Sequence, residues 1–390
     1  MKFGVLNYLV NLILFVYFPF LGKAQPAVQW QKCYGNGDND YFAGMVEAFG
    51  GGHVMAGRTQ NCKYGNGDFW VVKIDDTGAI AWTKCFGGSL GEYANNIVKV
   101  RGDFPGGDGY MVLGSTNSND GDVTVNHGSN DYWVVKLDTS GNLQWQKTYG
   151  GLLNEEAYSA TQTTDGGIVI AGHTSSNDGD VTGNHGDYDW WILKTDQLGN
   201  NVWKKTLGGS KREFLQSIAP TNDGGVIITG STQSSDGDVS QLLRMQDVWL
   251  VKLSASGAMQ WNKSYGSSAG LHTGWSVVQT SDNGYALSAT TFNYPSPGLN
   301  HGFIKLNDTG AVQWTVTQNF WDLIEIGNKH YITTGTTSAQ DGYVSRIDST
   351  GAVIWTKPLG GSDIDHTRKI FSTKDGGYIV AGNTRSNDGM

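Results

Sequence analysis

The chain alternates short apolar runs with turns rich in glycine and aspartate. Between residues 157 and 207 the apolar runs are AYSATQT, GIVIAGHT, DYDWWILKT and NNVWKKTL. Short runs rich in β-branched and aromatic residues and bounded by turn residues are typical of β-strands. The turns agree, because TTDGG at 163–167 can adopt the positive φ of a tight hairpin and DTSGN at 138–142 has Gly where a bulged hairpin closes. The pattern predicts a four-stranded antiparallel meander, with strands a, b, c and d.

This unit repeats along the whole chain, and a Trp in strand d marks each copy. The Trp-centred segments are WQKCYGN at 30, WTKCFGG at 82, WQKTYGG at 145, WKKTLGG at 203, WNKSYGS at 261, WTVTQNF at 314 and WTKPLGG at 355. Their spacing lies in the range of propeller blades and solenoid coils. Four hairpin-linked strands per unit favour a blade, so the sequence predicts an all-β fold, a β-propeller of four-stranded antiparallel blades. We expect each recurrent Trp to be buried between neighbouring blades.

The repeats predict about seven blades, with the last one incomplete. Six full units begin at Tyr41, Tyr93, Ala157, Phe214, Trp275 and Trp321. A seventh begins near His366 and supplies only strands a and b, whereas residues 27–34 form an isolated strand d. This N-terminal strand can close the ring by joining the last blade. That blade then lacks strand c, so it either has three strands or belongs to a truncated chain. The end in mid-motif at residues 388–390 favours truncation.

The N-terminal 24 residues have the composition of a secretory signal peptide. Lys2 precedes an apolar block from Val5 to Leu21, and small residues close the segment before Gln25. We therefore expect a signal peptide at 1–24 and a single propeller domain at 25–390, secreted or held at the cell surface or in the periplasm. An uncleaved membrane anchor is the alternative. After cleavage no membrane-inserted segment is expected.

Composition and charge narrow the partners. The chain has 56 Gly, 14 Trp and a formal net charge of −9, and this acidic balance disfavours nucleic acid and anionic membranes. It is compatible with cations and neutral glycans, and we expect a monomer. Export permits one disulfide among Cys33, Cys62 and Cys85 and leaves one thiol over. The spacing does not decide which two cysteines pair.

Aspartate-rich loops join strands b and c in three units and suggest a calcium site. Residues 175–194 read SSNDGDVTGNHGDYDWWILK, and related segments occupy 115–133 and 231–249. Asp-Gly-Asp with nearby Asn offers the hard oxygen ligands that Ca²⁺ prefers. The candidate ligands are Asp120, Asp122, Asn126, Asp178, Asp180, Asn184, Asp236 and Asp238. The alternative is that these residues cap and turn the backbone through local hydrogen bonds.

Two further groups of polar residues are interpreted as structural. His127, His185 and His301 recur once per unit, which places them too far apart for a shared zinc site. Glu155 and Glu156 could in principle serve acid–base glycoside chemistry. Adjacent residues on a strand point to opposite faces, however, so a solvated face is the favoured interpretation.

The segment GGSDIDHTRKIFSTKDGGYIVAGNTRSNDG at 360–389 resembles a β-propeller repeat of secreted bacterial proteins. That family's pattern runs from GGS and an acid through an apolar strand and a D-G-G turn to Y-V-A-G-x-T-x-S-x-D. The resemblance covers residues 30–390 and implies a propeller, but it carries no catalytic residues to transfer. VVKLDTSGNLQW at 134–145 shows a weaker likeness to quinoprotein-type propeller repeats, although the adjacent cysteine pair of that class is absent.

Two functions follow as hypotheses. The first is a secreted, non-enzymatic scaffold that binds protein or glycan, with calcium as a candidate stabilising ion. The second is a glycan-active hydrolase or lyase built on a propeller. The near-identical loops favour the first, because an active site usually breaks the repeat symmetry. The irregular fifth unit supplies Trp275, Phe292 and Tyr294, which could stack on a sugar.

Overall fold

The computed structural model describes residues 9–16, 26–35, 40–64, 66–102, 107–243, 245–266, 271–292, 302–337 and 341–385. Within these ranges the chain is all-β, with one short 3₁₀ turn at Gly327–Lys329. The strands form seven four-stranded antiparallel sheets, which are the blades of a β-propeller. This confirms the fold that the repeats predict.

Blades 1 to 6 are each built from consecutive strands, named a to d in chain order. Blade 1 consists of Tyr41–Glu47, His53–Thr59, Asp68–Ile74 and Ile80–Phe86. Blade 2 consists of Glu92–Val100, Gly109–Thr116, Asp131–Asp138 and Leu143–Tyr149. Blade 3 consists of Glu155–Gln162, Ile168–Thr174, Asp189–Thr195 and Asn201–Leu207. Blade 4 consists of Glu213–Pro220, Val226–Thr232, Asp247–Leu253 and Met259–Tyr265. Blade 5 consists of Leu271–Gln279, Tyr285–Phe292, Phe303–Leu306 and Val312–Val316. Blade 6 consists of Phe320–Ile326, His330–Thr336, Gly342–Ile347 and Val353–Leu359.

Blade 7 combines both ends of the chain. Its strands a and b are Asp365–Ser372 and Tyr378–Thr384, and its strand d is Ala27–Tyr34. The place of strand c is filled by Leu9–Val16, which pairs antiparallel with both Tyr378–Thr384 and Ala27–Tyr34. The blade therefore differs from the expected three-stranded arrangement. The apolar run that the sequence marks as a signal peptide also has the composition of a strand, and here it completes the sheet.

The core consists of seven hydrophobic clusters, one at each junction between neighbouring blades. The first cluster joins Phe69 of blade 1 to Trp133 of blade 2, and the last joins Ile379 of blade 7 to Met55 of blade 1. The other five fill the junctions in between. Because every sheet buries both faces against a neighbour, the ring as a whole is the folding unit.

The strand-d Trp residues mediate contacts between blades, as predicted. A Cβ added to Gly199, in the c–d turn of blade 3, would lie 3.0 Å from the Trp145 ring of blade 2. The neighbouring Tyr149 hydroxyl donates a 2.6 Å hydrogen bond to the Gly199 carbonyl. The same contact pairs Trp30 with Gly78, Trp82 with Gly141, Trp203 with Gly257, Trp261 with Gly310 and Trp314 with Gly351.

The extent of Trp burial differs from the expectation. Of the recurrent strand-d residues only Trp355 is buried, whereas the other six are half-buried because they lie over the turn glycines at the outer edge. The fully buried Trp side chains are Trp133, Trp190, Trp191 and Trp249, all on strands c. Strand c lies between two others within its sheet, which explains why its aromatic residues carry more of the core.

The cysteine pairing that the sequence left open is Cys62 with Cys85, with Cα atoms 6.0 Å apart. This disulfide ties the b–c loop of blade 1 to strand d of the same blade. Cys33 is an exposed free thiol. Across the described ranges, no helix is both long and apolar enough to cross a membrane.

Candidate functional site: an axial cavity

Strand a of every blade carries a β-bulge at the same place. In blade 3, Ala157 pairs with Gly172 and Ser159 pairs with Ala171, so Tyr158 has no partner across the ladder. The same register shift occurs in the other six blades. The seven bulge residues are Ala43, Asn95, Tyr158, Gln216, Trp275, Trp321 and Arg368. A bulge re-aims one side chain without disturbing the rest of the strand.

All seven bulge residues line one cavity of about 500 Å³. Each blade contributes through its innermost strand, so the cavity lies on the propeller axis. The other lining residues are Tyr41, Phe42, Arg58, Tyr93, Ala94, Asn96, Lys369 and Asn383. Tyr41 and Tyr93, near the start of their strands, are 42% and 45% exposed and form a rim on the face of the d–a and b–c loops. Propeller repetition thus brings one residue from each repeat to a common site.

Blades 5 and 6 supply an aromatic wall. The rings of Trp275 and Trp321 pack edge to face, with centroids 4.6 Å apart and an interplanar angle of 62°. The indole N–H of Trp275 donates to Thr290 Oγ1 at 2.7 Å, and that of Trp321 donates to Thr336 Oγ1 at 2.8 Å. Since the protein already satisfies both polar atoms, these side chains offer apolar ring surface to the cavity.

Blades 7 and 1 supply the positive charge. The Arg368 guanidinium lies 4.9 Å from the Trp321 ring centroid, and the Arg58 guanidinium lies 4.0 Å from that of Tyr93. Both are cation–π contacts. Lys369 is the third lining cation, and its ammonium lies 3.8 Å from a carboxylate oxygen of Asp322. Burial lowers the pKa of Arg368, although an arginine stays charged in proteins.

Blades 2 to 4 supply amides and a phenol. Asn95 Nδ2 donates to the Ala157 carbonyl at 2.9 Å, which ties blade 2 to blade 3 beside the cavity. Tyr158 Oη donates to Glu156 Oε2 at 3.0 Å. Gln216 lines the cavity with no side-chain partner in the described part of the chain. This side can therefore exchange hydrogen bonds with a bound molecule.

Tyr158 also covers a buried histidine. His173 is 4% exposed and packs against the rings of Tyr158, Tyr188 and Phe214, with centroids 5.1 to 5.3 Å away. Its Nε2 lies 3.9 Å from Glu156 Oε2, and its Nδ1 is buried with no hydrogen-bond partner within the described ranges. Burial lowers the pKa of His173 to about 4, so the ring is neutral at pH 7.

The structure places one of the three aromatic residues predicted in blade 5. Trp275 lines the axial cavity. Phe292 ends strand b of that blade, but its side chain and all of Tyr294 lie outside the described residues. Of the predicted sugar-stacking residues, Trp275 is therefore the one whose side chain the structure describes. It lies in a cavity to which other blades add aromatic residues.

The Asp-Gly-Asp loops dock onto the neighbouring d–a loops. Asp120, Asp178 and Asp236 accept backbone N–H bonds from Ser89, Leu152 and Ser210, respectively, at 2.7 to 2.8 Å. Asp122, Asp180 and Asp238 accept longer ones, 3.2 to 3.4 Å, from Gly87, Gly150 and Gly208, respectively. Among the described residues, no group of three or more His, Cys, Asp and Glu side chains is arranged as a metal centre. The calcium hypothesis remains a prediction.

The asparagines and histidines of these loops also serve local structure. Asn126 Oδ1 accepts from Gly128 N–H at 2.8 Å, and Asn184 Oδ1 accepts from Gly186 N–H at 3.0 Å. His185 Nδ1 lies 2.9 Å from Asp189 Oδ2, and burial raises the pKa of Asp189 to about 6. His127 makes the equivalent contact with Asp131 at 2.6 Å, and His301 lies outside the described residues.

The sequence analysis missed most of the cavity, although a signal for it exists. In five blades, the bulge residue follows by three positions the acidic residue that precedes or opens strand a. These acidic residues are Asp40, Glu92, Glu155, Glu213 and Asp365. Alignment of the repeats on that acid exposes a column that reads Ala, Asn, Tyr, Gln and Arg. Such variation within an otherwise regular repeat indicates a position that is not needed for the fold.

Comparison with known proteins supports the fold and leaves the activity open. No known family model matches the chain. The regulatory protein FlaEY of Caulobacter vibrioides is 28% identical over 159 residues, a match that covers 36% of this chain but only 16% of that protein. The similarity therefore concerns a minor part of FlaEY.

Solved structures share the architecture at low sequence identity. Streptogramin B lyase superposes with a TM-score of 0.50 and 13% identity, over 88% of this chain and 93% of that chain. A puromycin hydrolase superposes with a TM-score of 0.51 and 12% identity, over 90% of this chain and 53% of that chain. At such identities the likeness shows the propeller fold alone.

Proposed function

We propose that this protein is an exported, monomeric, non-enzymatic β-propeller that binds a glycan in its axial cavity. The observation that carries the proposal is the convergence of seven bulge side chains, of six residue types, on one cavity. The blades repeat one another in structure, whereas the side chains that they place on the axis differ from blade to blade. A single asymmetric pocket on a symmetric frame is the usual requirement for selective binding of one ligand.

The lining chemistry favours a glycan. Sugars present apolar C–H faces and a rim of hydroxyl groups, so their sites combine aromatic rings with polar side chains. Here the Trp275–Trp321 wall offers the ring surface, Gln216 of the adjoining blade 4 offers its amide, and Asn95 of blade 2 offers its amide oxygen. A cavity of about 500 Å³ has the volume of a small-ligand site, which suits a mono- or disaccharide unit.

Binding is favoured over glycoside hydrolysis by the residue types in the cavity. The usual hydrolytic mechanism needs two carboxyl groups on either side of the scissile bond. None of the lining residues is Asp, Glu or His. Glu156 reaches the Tyr158 hydroxyl, but His173 behind it is buried from the cavity. The likeness to solved enzymes therefore concerns the fold alone, and the residue types of the cavity favour binding of a glycan over its hydrolysis.

A glycan array with the purified protein and two variants tests the proposal. Trp275→Ala removes half of the aromatic wall and is expected to abolish the signals of the wild type. Leu152→Ala changes an exposed side chain of a d–a loop outside the cavity and should leave them intact. Thermal unfolding establishes that both variants fold. An array without any wild-type signal, or one that Trp275→Ala leaves unchanged, contradicts the proposal.

Export is tested separately. Expression with the native N-terminus in a bacterial host should place the protein outside the cytoplasm, with Gln25 as its first residue. This cleavage removes Leu9–Val16, so blade 7 of the exported protein would keep three strands. A cytoplasmic protein that retains residues 1–24 would contradict this part of the proposal and leave the glycan site to be judged by the array.

A further inference from the structure

We propose that the glycan is acidic: the cavity takes a sugar that carries a carboxylate, with its ring against Trp275 and Trp321 and its carboxylate at Arg368. This inference rests on the glycan-binding function proposed above and specifies its ligand.

The cavity is positive in a negative protein. The chain carries a formal net charge of −9, yet the lining residues include Arg58, Arg368 and Lys369 and no acid. Two carboxylates lie behind the lining residues: Asp322 is 6% exposed, contacts Lys369 and accepts the Ile370 N–H at 3.0 Å, and Glu156 accepts the Tyr158 hydroxyl at 3.0 Å on the opposite side from blade 7. Two arginines thus remain whose charge no lining side chain balances, and low-dielectric walls strengthen their field.

Arg368 is placed to receive an anion. Its side chain is half-buried, and no carboxylate pairs with it in the described part of the protein. Removing a cation from water without a counter-charge is costly, and a bound anion offsets that cost. The Trp321 ring fixes the guanidinium plane from one side, which leaves N–H groups for a carboxylate. A planar fork matches a carboxylate with two parallel hydrogen bonds.

Arg58 supplies a second, weaker contribution from the adjacent blade. Its Nη2 donates to the Asn66 carbonyl at 2.7 Å, so the side chain is held against Tyr93. Its Nε is buried and has no hydrogen-bond partner within the described residues. Because one nitrogen is already engaged, we assign Arg58 to positioning and long-range attraction, and we assign direct carboxylate contact to Arg368.

The order of residues around the axis gives the orientation. Trp275 and Trp321 belong to blades 5 and 6, Arg368 to blade 7, and Ala43 to blade 1. The small Ala43 side chain leaves space beside the arginine, where the other blades place large groups. A ring against the tryptophans therefore lies beside blade 7, where a carboxylate at the edge of the ring would come within reach of Arg368.

The test compares carboxylated, sulfated and neutral glycans on one array, followed by titration calorimetry with an oligogalacturonate and its methyl ester. The ester removes the charge and keeps the ring. We expect the acid to bind at least tenfold more tightly than the ester, with affinity that falls as salt rises. Arg368→Gln should weaken binding of the acid roughly tenfold to a hundredfold and leave ester binding unchanged.

Two control variants isolate the guanidinium. Lys374→Gln removes one positive charge from an a–b turn, outside the cavity lining, and should leave acid binding unchanged. Arg368→Lys keeps the charge but loses the planar fork, so its affinity should fall between those of the wild type and Arg368→Gln.

The outcomes separate this inference from the function beneath it. If neutral glycans bind as tightly as carboxylated ones, the proposal of an acidic ligand is wrong, whereas the proposal of a glycan site is unaffected. Preference for sulfated over carboxylated members overturns the carboxylate assignment in the same way. Failure of every glycan to bind overturns the proposed function and this inference together.

Discussion

The ammonium of Lys194 lies 2.5 Å from a carboxylate oxygen of Asp165. This pair joins strand c of blade 3 to its a–b turn, and the Lys194 side chain is only 5% exposed. Equivalent pairs join Lys252 to Asp223 and Lys305 to Asp282 at 2.9 and 3.0 Å. The Asp of the a–b turn, in TTDGG, TNDGG or TSDNG, and the lysine of strand c therefore form one repeated structural unit.

Loss of the Asp165 carboxylate should destabilise blade 3. Asp165→Asn leaves a buried ammonium with a neutral partner, and we expect the free energy of unfolding to fall by roughly 1 to 2 kcal/mol in urea denaturation. Asp375→Asn is the matched control, because Asp375 lies in the same turn of blade 7 and accepts a hydrogen bond from Thr373 Oγ1, and it has no ion pair with a lysine among the residues that the structure describes. Equal losses in the two variants would contradict a role for Lys194.

The same pair predicts the acid response. The hydrogen bond from Lys194, followed by that from Thr163, lowers the pKa of Asp165 to about 2. A carboxyl group whose pKa is lower in the folded state stabilises the fold above its unfolded pKa of about 4 and loses this contribution as the pH falls toward 2. Unfolding curves between pH 5 and 2 should show a steeper decline for the wild type than for Asp165→Asn.

The contact between Trp145 and Gly199 should limit what the c–d turn tolerates. Gly199 has φ of +74°, and a methyl group there would meet the Trp145 ring, Lys147 and the Tyr149 hydroxyl at 3.0 Å. We expect Gly199→Ala to lower the free energy of unfolding by roughly 2 to 3 kcal/mol. Gly183→Ala is the control, because Gly183 has φ of +84° with nothing within 4 Å of the added carbon. In this control only the strain of an alanine at positive φ remains, which should lower the free energy of unfolding by about 1 kcal/mol. A Gly199→Ala variant no less stable than the control would show that the Trp stack accommodates the methyl group.

His173 should make the protein less stable in mild acid. Burial lowers its pKa from 6.5 to about 4, so the unfolded chain takes up a proton that the folded chain does not. Above pH 6.5 His173 therefore costs the fold nothing. As the pH drops toward 4, its protonation in the unfolded chain lowers the free energy of unfolding by up to roughly 3 kcal/mol. His173→Phe keeps an aromatic ring among Tyr158, Tyr188 and Phe214 and cannot titrate. Chemical denaturation from pH 8 to 4 should give a flatter profile for this variant. An unchanged slope would assign the pH dependence to other groups.

Calcium binding by the b–c loops is tested with variants that keep the turn. Asp178→Asn retains an oxygen that can accept the Leu152 N–H, and the Asp178→Asn, Asp180→Asn double variant removes both charges of that loop. If the loops bind calcium, millimolar calcium should raise the melting temperature of the wild type by roughly a few degrees, with a smaller rise for the double variant. The same melting temperature for the wild type in calcium and in EDTA would limit these carboxylates to the backbone hydrogen bonds seen here.

The blades could be predicted because each one is specified locally. Asp-Gly in an a–b turn and Gly141 in a c–d turn predict hairpins, and the Trp of strand d marks each repeat. The axial cavity could not be located in this way. Tyr158 belongs to an ordinary strand pattern, and its orientation follows from a register shift against Gly172 and Ala171 that involves a second strand. A bulge is a property of the pair of strands, so one strand alone does not show it.

Blade 7 shows a second limit of sequence analysis. Leu9–Val16 has the apolar composition of a signal peptide and also that of a buried strand, and composition alone does not separate the two. The structure pairs this segment on both sides, with Tyr378–Thr384 and with Ala27–Tyr34. The isolated strand d at 27–34 predicts that the two ends share a blade, but no repeat signal predicts Leu9–Val16 as strand c between them.

The bulges assign two tasks, maintenance of the sheet and lining of the cavity, to different residues of strand a. The ladder partners on either side of each bulge maintain the blade, whereas the bulge residue itself has no ladder pairing to preserve. A substitution at any of the seven changes the cavity wall one blade at a time and leaves the sheet hydrogen bonds in place. Duplication of such a repeat adds one blade and one bulge residue that is free to vary. Related chains could therefore bind different ligands through changes at these seven positions, with the packing between blades unchanged.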